Sequence, residues 1–202
     1  MKLLIVYHAG AMLNARRIYR ALVDAGPIEL TVVVPERLKV DTVYDSKGWL
    51  CLERSENWEG YQMVPVPLRS PTSYAHGFEV GGLGPVVKRI KPDIIHVLDE
   101  PTSGYLSQVV QQRFRVSRHS RVVFYGFHNL PLQLTLRSRL AWRLRWSLMA
   151  GGVAANCEAL KNLREAGFPR RRPLERIFWG IPTDVFKPMN GDSVKQDRKS
   201  VV

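Results

Sequence analysis

Cysteine, acidic side chains and long apolar runs are all scarce in this chain of 202 residues. The two cysteines, Cys51 and Cys157, lie far apart, which excludes a disulfide framework and the spacing of a cysteine-based metal site; we predict no metal. No apolar stretch approaches the roughly 20 residues that cross a bilayer. The short apolar start, Met1 to Tyr7, lacks the cleavage site of a signal peptide. These absences predict a cytoplasmic protein with ordinary buried thiols.

The shortage of acids leaves a large excess of positive charge. Thirty lysines and arginines against 18 acids give a net charge of +12. Such a field favours anionic partners, namely nucleic acid, anionic lipid headgroups or phosphorylated substrates. A solvated basic surface that binds nothing in particular is the alternative, and charge alone does not choose between them.

Strands and helices alternate along the chain, which is typical of a doubly wound parallel sheet in a three-layer α/β/α sandwich. We predict strands at Lys2 to Tyr7, Glu29 to Val34, Trp49 to Leu52, Tyr61 to Pro67, Asp93 to Leu98, Arg121 to Tyr125, Gly152 to Ala155 and Leu174 to Phe178. Helices are predicted at Leu13 to Ala25, Pro85 to Ile90, Thr102 to Arg115, Gln133 to Met149 and Glu158 to Ala166. Pro65 and Pro67 place the strand that contains them at a sheet edge. Residues 1–188 form one domain in this prediction, and 189–202 a truncated linker or tail.

Polar residues follow two of the predicted strands. Glu100 comes after the strand that ends at Leu98, and His128 and Asn129 come after the strand that ends at Tyr125. Ligands of parallel α/β sheets bind outside the carboxyl ends of the strands. The Glu100 carboxylate is suited to bind a sugar hydroxyl or to cap the next helix. The His128 imidazole is suited to accept a proton from a substrate hydroxyl, or else to serve a structural role.

Three further segments carry weaker signals. The first loop, His8 to Ala11, lies where anions meet the amino end of a helix, but Gly10 alone does not make the three-glycine dinucleotide fingerprint. Gly180 permits a close backbone approach or forms a plain turn. Thr102 and Ser103 are suited to cap the helix after Glu100. His96, inside a strand, is predicted to be a core histidine.

The region Gln133 to Met149 combines arginines with Trp142 and Trp146. This pairing suits contact with an anionic membrane surface, and a basic packing helix explains it equally well. Nucleic acid is disfavoured as a partner, because no recognisable nucleic-acid motif accompanies the arginines.

Four motifs in order, together with the opening segment, resemble the amino-terminal half of a family-4, GT-B-type glycosyltransferase. The resemblance covers Lys2 to Pro188. Lys91 to Val97, with Glu100, Pro101 and Ser103, is similar to "KPDIIHV…EEPYS"; Phe124 to Asn129 is similar to the strand end that carries a histidine or a Gln-Asn pair; Gly151 to Glu158 is similar to "ADAVIANSEA"; Phe178 to Pro188 is similar to "PNGVDTERFRP"; and Glu29 to Glu36 is similar to "VELTVVVPER".

The resemblance implies retaining transfer of a sugar from a nucleotide-sugar co-substrate to an acceptor hydroxyl in glycan, polysaccharide or glycolipid biosynthesis, with no cofactor and no essential metal. It implies that this Rossmann-like half binds a glycan or lipid-linked acceptor. A C-terminal donor-binding Rossmann domain is the implied partner, and this chain alone is then an inactive half.

The resemblance also implies roles for individual residues. His128 contacts the transferred sugar, and Glu100 is the acid of the acceptor-side motif. His8 and Gly10 lie near the donor phosphates. Asn129, Thr102, Ser103 and Gly180 complete the predicted binding set. The alternative function is a non-catalytic Rossmann-like module that binds a polyanion, either nucleic acid or a lipid headgroup at the inner face of the membrane.

Overall fold

The computed structural model describes residues 1–39, 48–58, 60–127, 129, 131 and 136–180. The strands in this part of the chain are β1 (Lys2–Val6), β2 (Glu29–Pro35), β3 (Arg37–Lys39), β4 (Trp49–Cys51), β5 (Glu56–Trp58), β6 (Tyr61–Val66), β7 (Ile94–Val97), β8 (Arg121–Gly126), β9 (Gly151–Ala154) and β10 (Leu174–Arg176). The helices are α1 (Leu13–Asp24), α2 (Leu83–Ile90), α3 (Gly104–Val116), α4 (Leu136–Ser147) and α5 (Cys157–Glu165). The predicted α/β alternation is confirmed. The predicted linker at 189–202 lies outside the described residues.

Eight strands form one sheet in the order β10-β9-β8-β7-β1-β2-β6-β5. All its neighbouring pairs are parallel except β5 with β6, and β3 pairs separately with β4 as a small antiparallel ribbon. This is the Rossmann-like, doubly wound architecture that the alternation predicts. None of the helices in the described ranges is both long and apolar enough to cross a bilayer.

The strand β6 is not at the edge of the sheet, because β5 lies outside it. The predicted edge position is therefore wrong for the first half of β6. There β5 pairs with the residues from Tyr61 to Met63. Beyond Met63 the described sheet has no strand outside β6, and Pro65 lies in that part. Because proline has no N–H to donate, this uncovered half is where the ladder tolerates it.

The order of the strands reverses at β1. The chain passes from β1 to β2 and β6 on one side, and then returns to place β7 on the other side of β1. In an open α/β sheet, this reversal separates the loops that follow the two central strands and leaves a crevice between them. The carboxyl ends of β1 and β7 therefore mark the first place to look for a site.

The two faces of the sheet have separate cores, since successive side chains of a strand point to opposite sides. On one face, Leu4 and Ile95 pack in a cluster with helical residues that include Leu106 and Trp146. On the other face, Ile5 and Val32 pack with residues of α1, including the fully buried Tyr19.

Local signals explain where several elements begin and end. Of the two predicted caps of α3, Ser103 fills the role: its Oγ accepts a hydrogen bond from the Leu106 N–H at 3.3 Å. Thr102 is exposed. After α5, Gly167 adopts a left-handed φ of +92°, which favours glycine and ends the helix as predicted.

Two expectations about side chains need correction. Trp142 and Trp146 of α4 lie in the core, with Trp146 fully buried against Phe124 and Phe168, so they do not form a surface for a membrane. Membrane contact by the region Gln133 to Met149 stays a prediction, but the two tryptophans no longer support it. Cys51 and Cys157 are both exposed rather than buried, because each occupies a short strand or helix end outside the core.

Candidate functional site

The candidate site begins with a close contact between His8 and Asp99, which lie in the loops that follow β1 and β7. The His8 Nδ1 lies 3.2 Å from Asp99 Oδ2. The backbone positions both residues. The N–H groups of Tyr7 and Leu98 still donate hydrogen bonds to carbonyls of neighbouring strands, so His8 and Asp99 are the first residues beyond these sheet hydrogen bonds. The pair therefore lies at the point where the strand order reverses.

Asp99 is held in one orientation. Its side chain is only 5% exposed, and its second oxygen, Oδ1, accepts a hydrogen bond of 2.7 Å from the Glu100 N–H. The His8 side chain is 21% exposed, stacks at 6.3 Å on the ring of Tyr105 and meets the edge of Tyr7 at 5.3 Å. A carboxylate that accepts from Nδ1–H leaves the lone pair of a neutral imidazole on Nε2. The pair is thus suited to hold or accept a proton.

Glu100 connects the end of β7 to the end of β8. Its Oε1 accepts a hydrogen bond of 2.6 Å from the Phe127 N–H. A Cβ at Gly126 would lie 3.8 Å from Oε2, in ordinary contact, so the carboxylate packs closely on this strand end. The ends of β7 and β8 therefore meet at Glu100 and Phe127.

The carbonyl of Phe127 is also held, since it accepts a hydrogen bond of 3.4 Å from Asn156 Nδ2. His128, the next residue, lies outside the described residues, and its predicted role stays a prediction. Asn129 is exposed. Phe127 is therefore held at both its N–H and its carbonyl.

An aromatic cluster, formed by Tyr7, Tyr125, Phe127 and Trp179, lies at the same end of the sheet. Trp179 contacts the other three rings at centroid distances of 6.2, 5.3 and 5.5 Å, and it is 38% exposed. The Tyr125 hydroxyl donates to the Ile177 carbonyl at 2.7 Å, which holds the segment after β10 over the cluster. Aromatic faces of this kind pack on sugar rings and on nucleotide bases.

Burial shifts two tyrosines of this cluster in the same direction. Burial, and then the nearby Asp99 carboxylate, raise the pKa of Tyr7 above its usual value. Burial also raises the pKa of Tyr125. Both phenols therefore stay protonated at neutral pH and act as neutral hydrogen-bonding groups.

The first loop packs tightly at Gly10. A Cβ at this position would lie 2.7 Å from the Tyr19 hydroxyl and 2.8 Å from Val34 Cγ1, which excludes any larger residue without rearrangement. Glycine is needed here for space and not for a left-handed φ. Met12, the N-cap of α1, provides no side-chain hydrogen bond to the first turn, and so the helix amides are not capped by it. Uncapped amides at a helix start favour anions.

Two other predicted binding residues have ordinary surroundings. The Ser103 hydroxyl serves as the cap of α3. Gly180, next to Trp179, has open space at its Cβ position and no left-handed φ. Residues 177–180 form no turn, so neither the predicted turn nor the predicted close approach is seen at Gly180. Ligand binding by Ser103 or Gly180 stays a prediction.

Sequence reasoning missed several members of the site. Asp99 follows a predicted strand directly but is not among the predicted site residues, and neither are Tyr7, Tyr105 and Trp179. The available signal was the polar residue directly after each strand, at His8 and at Asp99. Only the order of the strands shows that these two positions are neighbours.

Comparison with known proteins identifies the fold. No protein-family model matches the chain, and no curated protein sequence matches it. Anabaena Alr3699/HepE, solved in complex with UDP and glucose, is 15% identical with a TM-score of 0.59 over 99% of this chain and 50% of that protein. UDP-N-acetylglucosamine 2-epimerase from Rickettsia bellii is 12% identical with a TM-score of 0.52 over 87% of this chain and 44% of that protein. The UDP-GlcNAc 2-epimerase from Neisseria meningitidis, solved bound to UDP-GlcNAc, is 16% identical with a TM-score of 0.50 over 87% of this chain and 46% of that protein.

The chain therefore spans about half the length of each of these proteins. At such low identities the similarity concerns the fold alone. The chain has the Rossmann-like α/β fold of one half of a GT-B enzyme, and its structural neighbours are proteins solved with or named for UDP-sugars.

Proposed function

We propose that this chain is the acceptor-binding half of a glycosyltransferase that moves a sugar from a UDP-sugar donor to an acceptor hydroxyl, with retention of configuration. The observation that carries the proposal is the pairing of His8 with Asp99 where the strand order reverses. The sequence motifs support retaining transfer, and the UDP-sugar ligands of the structural neighbours support the donor class.

The His8–Asp99 pair is suited to bind a substrate hydroxyl. Asp99 fixes the Nδ1–H tautomer of His8, so that Nε2 is the acceptor for a hydroxyl proton. A hydroxyl held in this way is oriented before the donor arrives, which removes part of the entropic barrier to transfer. We assign His128 to contact with the transferred sugar and Glu100 to the cleft wall.

The first loop is suited to the donor phosphates. The first turn of α1 has no side-chain cap at Met12, and Gly10 keeps the loop in close contact with the sheet. Amides at a helix start attract phosphate through hydrogen bonds and the helix dipole. The aromatic cluster around Trp179 supplies flat apolar faces beside this position.

The test is an assay of this chain joined to a second, donor-binding Rossmann domain, with UDP-glucose or UDP-GlcNAc as donor. We expect Asp99→Asn and His8→Gln each to lower kcat by about 100-fold or more, with a smaller change in KM. Asp93→Asn is the matched control, since Asp93 precedes the other end of β7 and its side-chain Oδ2 accepts a hydrogen bond from the Lys2 N–H. Wild-type rates for both site variants would refute the assignment of the pair.

Glu100 and His128 are tested in the same enzyme. Glu100→Gln keeps an oxygen that accepts from the Phe127 N–H, whereas Glu100→Ala removes it. Equal losses in the two variants indicate a need for the charge, and a loss in the alanine variant alone indicates that Glu100 positions the strand end. Unchanged rates in Glu100→Ala and His128→Ala would refute both assignments. The anomeric configuration of the product, read by NMR, tests retention.

Epimerisation is a second candidate, because several structural neighbours are UDP-GlcNAc 2-epimerases. The two activities separate in one experiment with UDP-GlcNAc. Transfer requires an acceptor and releases UDP, whereas epimerisation changes the sugar without either. The similarity of the sequence motifs to those of family-4 glycosyltransferases favours our first proposal over this one.

A further inference from the structure

The end of the sheet opposite the candidate site carries an unusual concentration of positive charge. Because the strands from β10 to β6 run parallel, the segments that lead into them meet at one end of the molecule. We call the segments 88–93, 113–121 and 170–173, which precede β7, β8 and β10, the basic pole. They contain ten lysines and arginines: Lys88, Arg89, Lys91, Arg113, Arg115, Arg118, Arg121, Arg170, Arg171 and Arg172.

The charge of the basic pole is almost uncompensated. Asp93 is its single acid, so ten against one leaves nine of the chain's net charge of +12 in these three segments. No carboxylate in the described ranges forms an ion pair with any of the ten. The Asp93 side chain accepts from the Lys2 backbone N–H at 2.7 Å.

Hydrogen bonds hold these segments side by side. Arg113 Nε donates to the Ser120 carbonyl at 3.0 Å, and Ser120 Oγ donates to the Pro92 carbonyl, which joins the segments before β7 and β8. The strand β9 lies between β8 and β10 and connects the third segment to the other two. The Gly152 N–H of β9 donates a hydrogen bond of 3.0 Å to the Pro173 carbonyl of that segment. The three segments therefore lie next to one another at this end of the sheet.

Two exposed apolar side chains lie within this charge. Phe114 is 46% exposed and Val116 is 38% exposed, both at the end of α3. Arg113 and Arg118 flank Phe114: the Arg113 guanidinium lies 6.0 Å from its ring centroid, and Arg118 Nε donates to its carbonyl at 3.2 Å. An aromatic ring and a valine among arginines match a lipid surface, where the rings enter the interface and the cations meet the headgroups.

We propose that the basic pole is a docking surface for an anionic lipid bilayer, with Phe114 and Val116 entering the interface. Charge complementarity supplies most of the attraction, since each cation near an anionic surface strengthens binding about fivefold. This surface differs from the α4 region that the sequence suggested, whose tryptophans are buried. It does not depend on the enzymatic proposal.

The test is co-sedimentation of the full chain with vesicles of phosphatidylcholine, alone or with about one third phosphatidylserine. We expect binding only to the anionic vesicles, and weaker binding as salt rises. Arg170→Glu with Arg171→Glu should weaken it at least about 25-fold. Phe114→Ser with Val116→Ser should weaken it about tenfold and leave the salt dependence in place.

Arg54→Glu with Arg176→Glu is the matched control, because it makes the same change of charge at exposed arginines outside the basic pole. It should bind more tightly than the Arg170 and Arg171 variant by about tenfold or more. Equal losses of vesicle binding in the two arginine double variants would overturn the proposal. A further variant, Arg143→Glu with Leu144→Ser, tests the α4 surface, and a loss of vesicle binding in this variant alone would also overturn the proposal. Tight binding to an oligonucleotide without binding to anionic vesicles would also overturn it. Far-UV circular dichroism of each variant verifies the fold.

Discussion

Acidification is expected to destabilise this protein through His96. This histidine lies in the central strand β7, where its register neighbours on the adjoining strands are Ile5 and Val123. Its Nε2 atom is buried and has no hydrogen-bond partner among the described residues. Burial penalises the charged imidazole and lowers the pKa of His96 to about 4, from an ordinary value of 6.5.

The sign and size of the effect follow from the difference between the folded and unfolded chains. Between pH 6.5 and 4 the unfolded chain binds the His96 proton more readily, so the free energy of unfolding falls as pH falls through this range. The loss amounts to about 1.4 kcal/mol for each pH unit between the two pKa values. From pH 7 to pH 5 we expect His96 to remove about 2 kcal/mol, and below pH 4 about 3 kcal/mol.

Urea unfolding at pH 7, 6 and 5, followed by tryptophan fluorescence and far-UV circular dichroism, measures this loss. The matched variant is His96→Leu, which keeps the volume approximately and removes the titrating group. Other groups titrate in both proteins, so the difference between the two pH profiles isolates His96. If the variant loses as much stability between pH 7 and pH 5 as the wild type, the reasoning about His96 is refuted.

Three further predictions concern stability at neutral pH, measured by the same urea unfolding. Gly10→Ala should cost about 1–3 kcal/mol because its Cβ meets the Tyr19 hydroxyl, whereas Gly26→Ala, with open space at its Cβ, should cost nothing or stabilise slightly; equal effects would contradict the packing argument. Ser103→Ala should cost about 1 kcal/mol by leaving the Leu106 N–H without its cap, and no change would mean that the cap is dispensable. Tyr19→Phe should be as stable as the wild type or more so, since this buried hydroxyl has no hydrogen-bond partner in the described structure; a loss above 1 kcal/mol would reveal one.

The fold was predictable from local signals in the sequence. The strands that these signals did not predict are short. The parallel strands are apolar runs bounded by prolines, glycines and caps, and each predicted one is present in the structure. The strands β3 and β5 were missed because three residues are too few to show a period of two. Trp142 and Trp146 are four residues apart and so share a helix face; that spacing indicated a core position, which the arginines between them obscured.

The candidate site was predictable only in part. Glu100 and the end of β8 could be paired because β7 and β8 are consecutive strands of a parallel array, and such strands are usually neighbours. His8 and Asp99 are 91 residues apart, and nothing in either segment encodes the other. Their meeting depends on the return of the chain to the far side of β1, which is a property of the whole sheet.

The shared direction of the strands gives the molecule a polarity with a practical consequence. The residues that start the strands and those that finish them are about 20 Å apart, the length of a six-residue strand. Under the two proposals above, substitutions at one end would change where the protein resides without altering the chemistry at the other. Evolution and engineering can adjust the two properties independently, as long as the apolar layer between them is preserved.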